Sequence, residues 1–180
     1  MGKIDATSKY QDSLPVSSDE IMARLEQWGI QYQRFEHVAL RTVEDAKKIE
    51  SQFLCSEQGG GHIKNLYLRD KKKRNILLVA QQDRQIDLKA LPDLLGTGRL
   101  SFGSADRLLE NLGIRPGAVS PLSMVTGVKH GVELFIDSGL KNCRKLYVHP
   151  LVNDRTLAID VDGLDVFFNK IGVEPTWVFL

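Results

Sequence analysis

The stretch Gly59-Gly-Gly-His-Ile-Lys-Asn-Leu-Tyr-Leu-Arg-Asp-Lys-Lys-Lys-Arg-Asn-Ile-Leu-Leu-Val-Ala80 decides how the rest of the chain is read. Two runs of strand-like residues, 63–69 and 75–81, flank a charged connection from Asp70 to Arg74, so a β-hairpin is expected. That connection lacks glycine, which leaves its turn type open. The second run, Ile76 to Ala80, is apolar on both faces, as in a strand covered on both sides of a sheet. Gly59 to Gly61 precede the first run. Such glycines allow a sharp turn or a close approach of backbone to a ligand. Lys64, just after them, is a point charge suited to a phosphate or carbonyl oxygen. By spacing alone, a solvated lysine on a strand edge is the commoner reading. No GK[ST] ending follows the glycines, so they do not form a nucleotide-binding P-loop.

Outward from this hairpin the pattern mixes helices and strands. Residues 1–16 are polar and read as a flexible N-terminal arm closed by Pro15. Ser17-x-x-Glu20 is a capping-box pattern opening a helix through Ile21, Met22, Leu25 and Trp28, which Gly29 ends. A strand follows at 32–37, and Thr42 caps an expected second helix with Val43, Ala46 and Ile49 on one side. Beyond the hairpin, Asp87 is expected to cap a helix through Leu88 and Leu95, and Ser104 one from Ala105 to Leu112. Strands are expected at 132–137, 145–149 and 156–160. Asp162 is expected to cap a last helix through Phe167 and Ile171, ahead of an apolar end at Thr176 to Leu180. The fold class is therefore α/β: one compact domain over 17–180, with a mixed, mostly antiparallel sheet or partial barrel covered by helices.

The chain has 180 residues, 42% apolar and 26% charged, with net charge +1. A coat of positive charge for gripping nucleic acid non-specifically is excluded, though a local basic patch such as Lys71 to Arg74 is not. No apolar run reaches membrane-spanning length and the first residues lack a signal-peptide core, so a cytoplasmic protein without a membrane partner is expected. Cys55 and Cys143 are far apart and the four histidines are scattered, so neither a metal site nor another cofactor is expected. The Pro116-containing loop Gly117-Ala-Val-Ser-Pro121 is stiffened by its prolines and suits either a pocket wall or a tight connection. His149 at a strand end and Ser101 beside Phe102 are further polar points. The GxSxG signature is absent, so serine-hydrolase chemistry is not expected.

Taken together, several segments resemble the YbaK and prolyl-tRNA-synthetase-associated editing domain family. They are His62 to Asp70, Arg99-Leu-Ser-Phe102, Leu112 to Pro121, His149-Pro-Leu-Val-Asn153 and Gly172-Val-Glu-Pro175. The likeness runs from about residue 18 to the end and is greatest to the free-standing prolyl-tRNA editing proteins. It implies hydrolysis of the ester bond of mischarged tRNA, alanyl-tRNA(Pro) foremost, by positioned water assisted by the substrate's ribose. It implies Lys64 as the catalytic residue. Asn65, His149, Ser101 and the loop residues Gly117, Ala118, Val119, Ser120 and Pro121 are the substrate-binding candidates. The implied partner is mischarged tRNA at its acceptor end, with prolyl-tRNA synthetase a second candidate. A non-catalytic tRNA- or synthetase-binding regulator is the alternative. Neither monomer nor homodimer is selected.

Two departures from the family pattern bear on substrate choice. Thr126-Gly127 stands where the family often has Asn-Asp, and Asn153-Asp154-Arg155-Thr156 where Asn-Thr-Ala-Thr is common. These changes leave serine, threonine, cysteine or a small non-protein amino acid open as the amino acid removed.

Overall fold

The computed structural model describes residues 2–40 and 43–180. In chain order its elements are α1 (Ser18–Gln27), β1 (Tyr32–Glu36), α2 (Val43–Glu50), β2 (Gly60–Gly61), β3 (Ile63–Asp70) and β4 (Asn75–Gln81). Then come α3 (Leu91–Leu95), β5 (Leu100–Phe102), α4 (Ala105–Leu112), α5 (Met124–Gly127), β6 (Glu133–Asp137), β7 (Lys145–Val148), β8 (Arg155–Ile159), α6 (Val161–Ile171) and β9 (Thr176–Val178). The strands form two mixed sheets, ordered β1-β8-β7-β2 and β5-β3-β4-β6-β9, not closed into a barrel. The α/β class expected from the sequence holds. Where one sheet or a partial barrel was expected, there are two open sheets, with β2–β7, β4–β6 and β6–β9 parallel and the other pairs antiparallel.

The glycine run is where the chain changes sheets. Gly60 and Gly61 pair with Lys145 and Leu146 in one sheet, and Ile63 already pairs with Gln81 in the other. Contact at this crossing is too close for a side chain. A Cβ on Gly60 would lie 1.9 Å from the Leu54 carbonyl oxygen, and one on Gly61 2.2 Å from Leu146 Cδ2. Glycine is required here for passage between sheets.

β4 is the central strand of its sheet, which explains its unbroken apolar run. Leu77 and Val79 face the main core between the sheets, together with Ile21, Leu25, Leu112, Leu157 and Phe167. Ile76 and Leu78 face a second cluster with Leu91, Leu95 and Leu100. The alternation follows from the two-residue period of a strand. Each fully buried leucine or phenylalanine contributes about 1.5–3 kcal/mol relative to exposure.

The expected caps mostly hold. Ser17 accepts a hydrogen bond from the Glu20 N–H and Ser104 one from the Arg107 N–H, while Gly113 and Gly172 end their helices in the left-handed region. Two differ. Asp87 accepts from the Lys89 N–H in a turn, and the helix after it covers only Leu91–Leu95, because Pro92 fits the first helical turn and not an interior position. The last helix is entered at Asp160, leaving Asp162 in its first turn. The expected cap Thr42 lies outside the described residues, as do the side chains of Val43 and Ala46.

The N-terminal residues expected as a flexible arm are instead packed against the domain. Ser8–Ser13 form a 3-10 helix, Ala6 and Val16 are buried, and the Ala6 carbonyl accepts from the Asn153 N–H at 2.9 Å. Among the described residues, no helix is long and apolar enough to cross a membrane.

Candidate active site

β3 carries Lys64 from one sheet, and the end of β7 carries His149 from the other. They meet at a cavity of about 270 Å³ lined by Ile63, Lys64, Asn65, Gly117, Val119, Tyr147 and His149. An adjoining cavity of about 140 Å³ shares Ile63, Tyr147 and His149 and adds Leu40, Ile49, Phe53, His62 and Thr156 among its walls. Larger hollows lie elsewhere, beside α6, beside the α1–β1 connection and beside β6, and among the described residues they hold no comparable grouping of chemistry-bearing side chains.

Lys64 donates to the Arg84 carbonyl oxygen. That carbonyl is itself held in place. The Arg84 Nε donates to Asp137 at 3.1 Å, and Asp137, only 1% exposed, also accepts from the Gln81 and Gly139 N–H groups. An ammonium has three donors, so one bond to Arg84 fixes its position and leaves others for a ligand.

Asn65 donates through Nδ2 to the Val119 carbonyl at 3.0 Å and so ties the hairpin to the stiff loop. Among the described residues, its buried Oδ1 has no partner. Gly117 takes φ 94°, and a Cβ there would lie 3.3 Å from Asn153 Nδ2, so glycine serves both the turn and the fit. Among the described residues, the Gly117 and Val119 N–H groups have no recorded protein acceptor, while the Ala118 N–H donates to Arg115.

His149 places Nδ1 2.8 Å from the Arg155 carbonyl. A carbonyl only accepts, so Nδ1 carries the proton, and in the neutral ring Nε2 is a bare acceptor. Burial pushes the imidazole below its ordinary value of 6.5; nearby His37 pushes the same way, while the bond to Arg155 and the charge of Asp154 oppose them. Around it, Tyr147 stacks on Phe53 at 4.3 Å and on His62 at 5.2 Å. The Tyr147 hydroxyl accepts from the Leu54 N–H, and His62 Nε2 bonds the Leu54 carbonyl.

The structure thus brings together Lys64, Asn65, Gly117, Val119 and His149 of the residues singled out in the sequence. Ala118, Ser120 and Pro121 are buried behind the loop rather than on the cavity wall. Ser120 accepts from the Leu122 N–H and so shapes the loop from inside. Ser101 is not at this site. It is exposed on β5 opposite Arg69, five residues along β3 from Lys64, about 17 Å at strand rise. The basic turn from Lys71 to Arg74 is also distant, at the other end of the hairpin, and Arg74 is committed there to Glu133 and the Gly96 carbonyl.

Tyr147, His62 and Phe53 were missed. Tyr147 had a usable signal, standing two residues before His149 and hence on the same strand face. His62 and Phe53 reach the site only through the change of sheet. Thr126 and Gly127 lie in α5 within the core and do not line the cavity.

A model of the aminoacyl-tRNA editing domain matches residues 37–167 of the chain. The prolyl-tRNA editing protein ProX of Acetoanaerobium sticklandii is 36% identical over 81% of this chain and 86% of its own length. Prolyl-tRNA synthetase associated domain-containing protein 1 of Mus musculus is 32% identical over 89% of this chain and 96% of its own. Among solved structures, a crystal structure described as a proposed trans-editing enzyme for prolyl tRNA synthetase superposes with a TM-score of 0.65 at 18% identity. It covers 91% of this chain and 96% of that one, and is a likeness of fold.

Proposed function

The chain belongs to the aminoacyl-tRNA editing domain family, and from that premise we propose that it is a trans-editing deacylase that hydrolyses mischarged tRNA(Pro), alanyl-tRNA(Pro) foremost. The observation that carries this reading is the meeting of Lys64 and His149, from two different sheets, in one small cavity walled by Gly117 and Val119. Among the described residues, those lining that cavity include no serine, threonine, cysteine or carboxylate, while Glu50 and Thr156 line the adjoining one. Water is then the nucleophile. An aminoacyl ester is already activated, so positioning water and stabilising the developing oxyanion suffice.

Lys64 faces the terminal phosphate or the ester carbonyl, held by Arg84. The Gly117 and Val119 N–H groups supply donors to the oxyanion. Neutral His149 accepts through Nε2 from the attacking water or from the ribose hydroxyl beside the ester. That hydroxyl helps to orient the water, and the products are the free amino acid and the tRNA 3′ end. The adjoining cavity of about 140 Å³, apolar at Leu40, Ile49 and Phe53, suits a small side chain and disfavours a bulkier one by shape.

The deciding measurement is a panel of Ala-, Ser-, Thr- and Cys-tRNA(Pro) with the wild-type protein and Lys64→Ala. Wild type is expected to deacylate Ala-tRNA(Pro) fastest. Lys64→Ala should lose about 100-fold or more in kcat/KM, the scale of removing one preorganised electrostatic group, with its circular dichroism spectrum unchanged. If all four substrates survive while a control enzyme turns over, the reading is wrong. Tight tRNA binding without turnover would point to a regulator.

A further inference from the structure

The segment before α1, with the first turn of that helix, binds behind both walls of the cavity without lining it. On one side it holds the turn after His149. The Ser8 N–H donates to Asp154 Oδ1 at 2.9 Å and its hydroxyl to Oδ2 at 2.7 Å. The next residue back is bound too, the Asn153 N–H donating to the Ala6 carbonyl at 2.9 Å. Arg155 completes this side. Its guanidinium donates to Ser18 Oγ at 3.1 Å and Asp19 Oδ1 at 2.8 Å, while its carbonyl takes the His149 Nδ1–H.

On the other side the segment holds the base of the Gly117 loop. Arg115 donates to Ser13 Oγ at 2.9 Å. Gly113 is pressed against Pro15, where a Cβ would come within 2.6 Å of Cγ. Asp154 and Arg155 are also the two residues that replace Thr-Ala in the family's common pattern. Neither lines the cavity, and both side chains bind this segment, Arg155 also reaching Glu36 of β1 at 3.5 Å.

We propose that residues 6–19 form a brace for the active site, and that Asp154 is the positioning residue through which the brace fixes His149. This rests on the deacylase reading for its catalytic consequence, though not for its geometry. Without the Ser8–Asp154 clasp, the turn from Pro150 to Arg155 loses its side-chain tie to residues 6–19 and is left to backbone bonds, from the Asn153 N–H to Ala6 and from the His37 and Leu40 N–H groups to the Asp154 and Asn153 carbonyls. The Arg155 carbonyl then no longer holds the imidazole in one tautomer, and Nε2 is no longer a committed acceptor. Leu151 within that turn takes φ +67°, a conformation that needs its surroundings to hold it.

The test compares Asp154→Ala with Asp154→Asn in the full chain. An asparagine keeps both bonds, Oδ1 accepting from the Ser8 N–H and Nδ2 donating to its hydroxyl. Asp154→Ala is expected to lower kcat on Ala-tRNA(Pro) about tenfold or more with KM changed less than about threefold, as misplacement of a catalytic group does. Asp154→Asn should recover most of that loss. Imidazole nitrogen NMR provides a readout independent of activity. His149 should be a single Nδ1–H tautomer in wild type and Asp154→Asn, and a mixture in Asp154→Ala. A lower melting temperature with unchanged kcat and an unchanged imidazole spectrum would overturn the proposal. Should Asp154→Ala not fold, Ser8→Ala removes only the hydroxyl bond, and a smaller shift of the same kind is expected; no shift counts against the brace. If wild type hydrolyses no ester, the deacylase reading falls while the imidazole spectra still decide whether Asp154 fixes His149.

Discussion

At the residue scale, His149 and Lys64 show why a local reading of the sequence undersold this site. Lys64 reads as a solvated strand lysine until Arg84, anchored by buried Asp137, is seen to take its ammonium. His149 reads as a strand-end histidine until the Arg155 carbonyl fixes its tautomer. Burial holds this imidazole below its ordinary value of 6.5, which has two consequences of known sign. The unfolded chain takes up a proton near 6.5, while the folded chain takes it up only at lower pH. Between those two values the unfolded state binds more protons, so stability rises with pH there. The His149 contribution is thus intact above about 6.5, is lost as pH falls toward the folded value, and is level below it. Urea titrations at a series of pH values should show that acid-side loss in wild type and less of it in His149→Gln. Activity follows the same group. With Nε2 needed as an acceptor, the acid limb of kcat/KM should have its midpoint below 6.5, the ordinary histidine value. An acid limb with its midpoint at or above 6.5 would show that a down-shifted His149 is not the group that limits activity on the acid side.

At the element scale, the hairpin that organises the chain is built with a strained turn. Lys73 takes φ +67°, with its N–H donating to the Asp70 carbonyl, while the Asp70 carboxylate accepts from the Arg74 N–H. A side chain in this left-handed region costs about 1–2 kcal/mol, which glycine avoids at some cost in unfolded-state entropy. Lys73→Gly should therefore stabilise the protein by about 0.5–1 kcal/mol in urea unfolding. The turn is six residues along β3 from Lys64, about 20 Å at strand rise, so deacylation by this variant should match wild type. Destabilisation by Lys73→Gly would mean that the lysine side chain makes a contact worth more than the strain. The turn also shows the limit of sequence reading at this scale. Strand periodicity placed both arms, but the left-handed position fell on a lysine rather than a glycine or asparagine, so nothing in the residue types announced the turn geometry.

At the scale of the whole molecule, the single-strand and single-helix features were legible and the joins between them were not. Caps at Ser17 and Ser104, the covered strand β4 and the closing glycines follow local rules of period and hydrogen bonding. Two sheets in place of one could not be read, because which strands pair depends on contacts far apart in sequence. The Gly59–Gly61 run carried a signal, but one equally suited to a ligand or to a crossing between sheets. Ser8 and Asp154 are 146 residues apart, so a polar arm and a polar loop each looked solvated alone. Charge, by contrast, is a property of the whole chain that sequence does give, and it bears on how tRNA is held. The net charge is +1, and the densest basic run lies about 20 Å from Lys64 with Arg74 already paired to Glu133. A protein so balanced neutralises few phosphates at once. Each phosphate neutralised adds about 0.7–0.9 to the slope of log affinity against log salt, so tRNA binding should fall with a slope of only about 2–3. Recognition then concentrates at the acceptor end, and an alanylated acceptor-stem minihelix should be deacylated within about tenfold of full-length tRNA. The check is a pair of measurements, the salt dependence of tRNA binding by the Lys64→Ala protein and the kcat/KM of wild type on the minihelix. A slope steeper than about six, with the minihelix left intact, would mean that the tRNA body is gripped by a basic surface that the charge balance does not reveal.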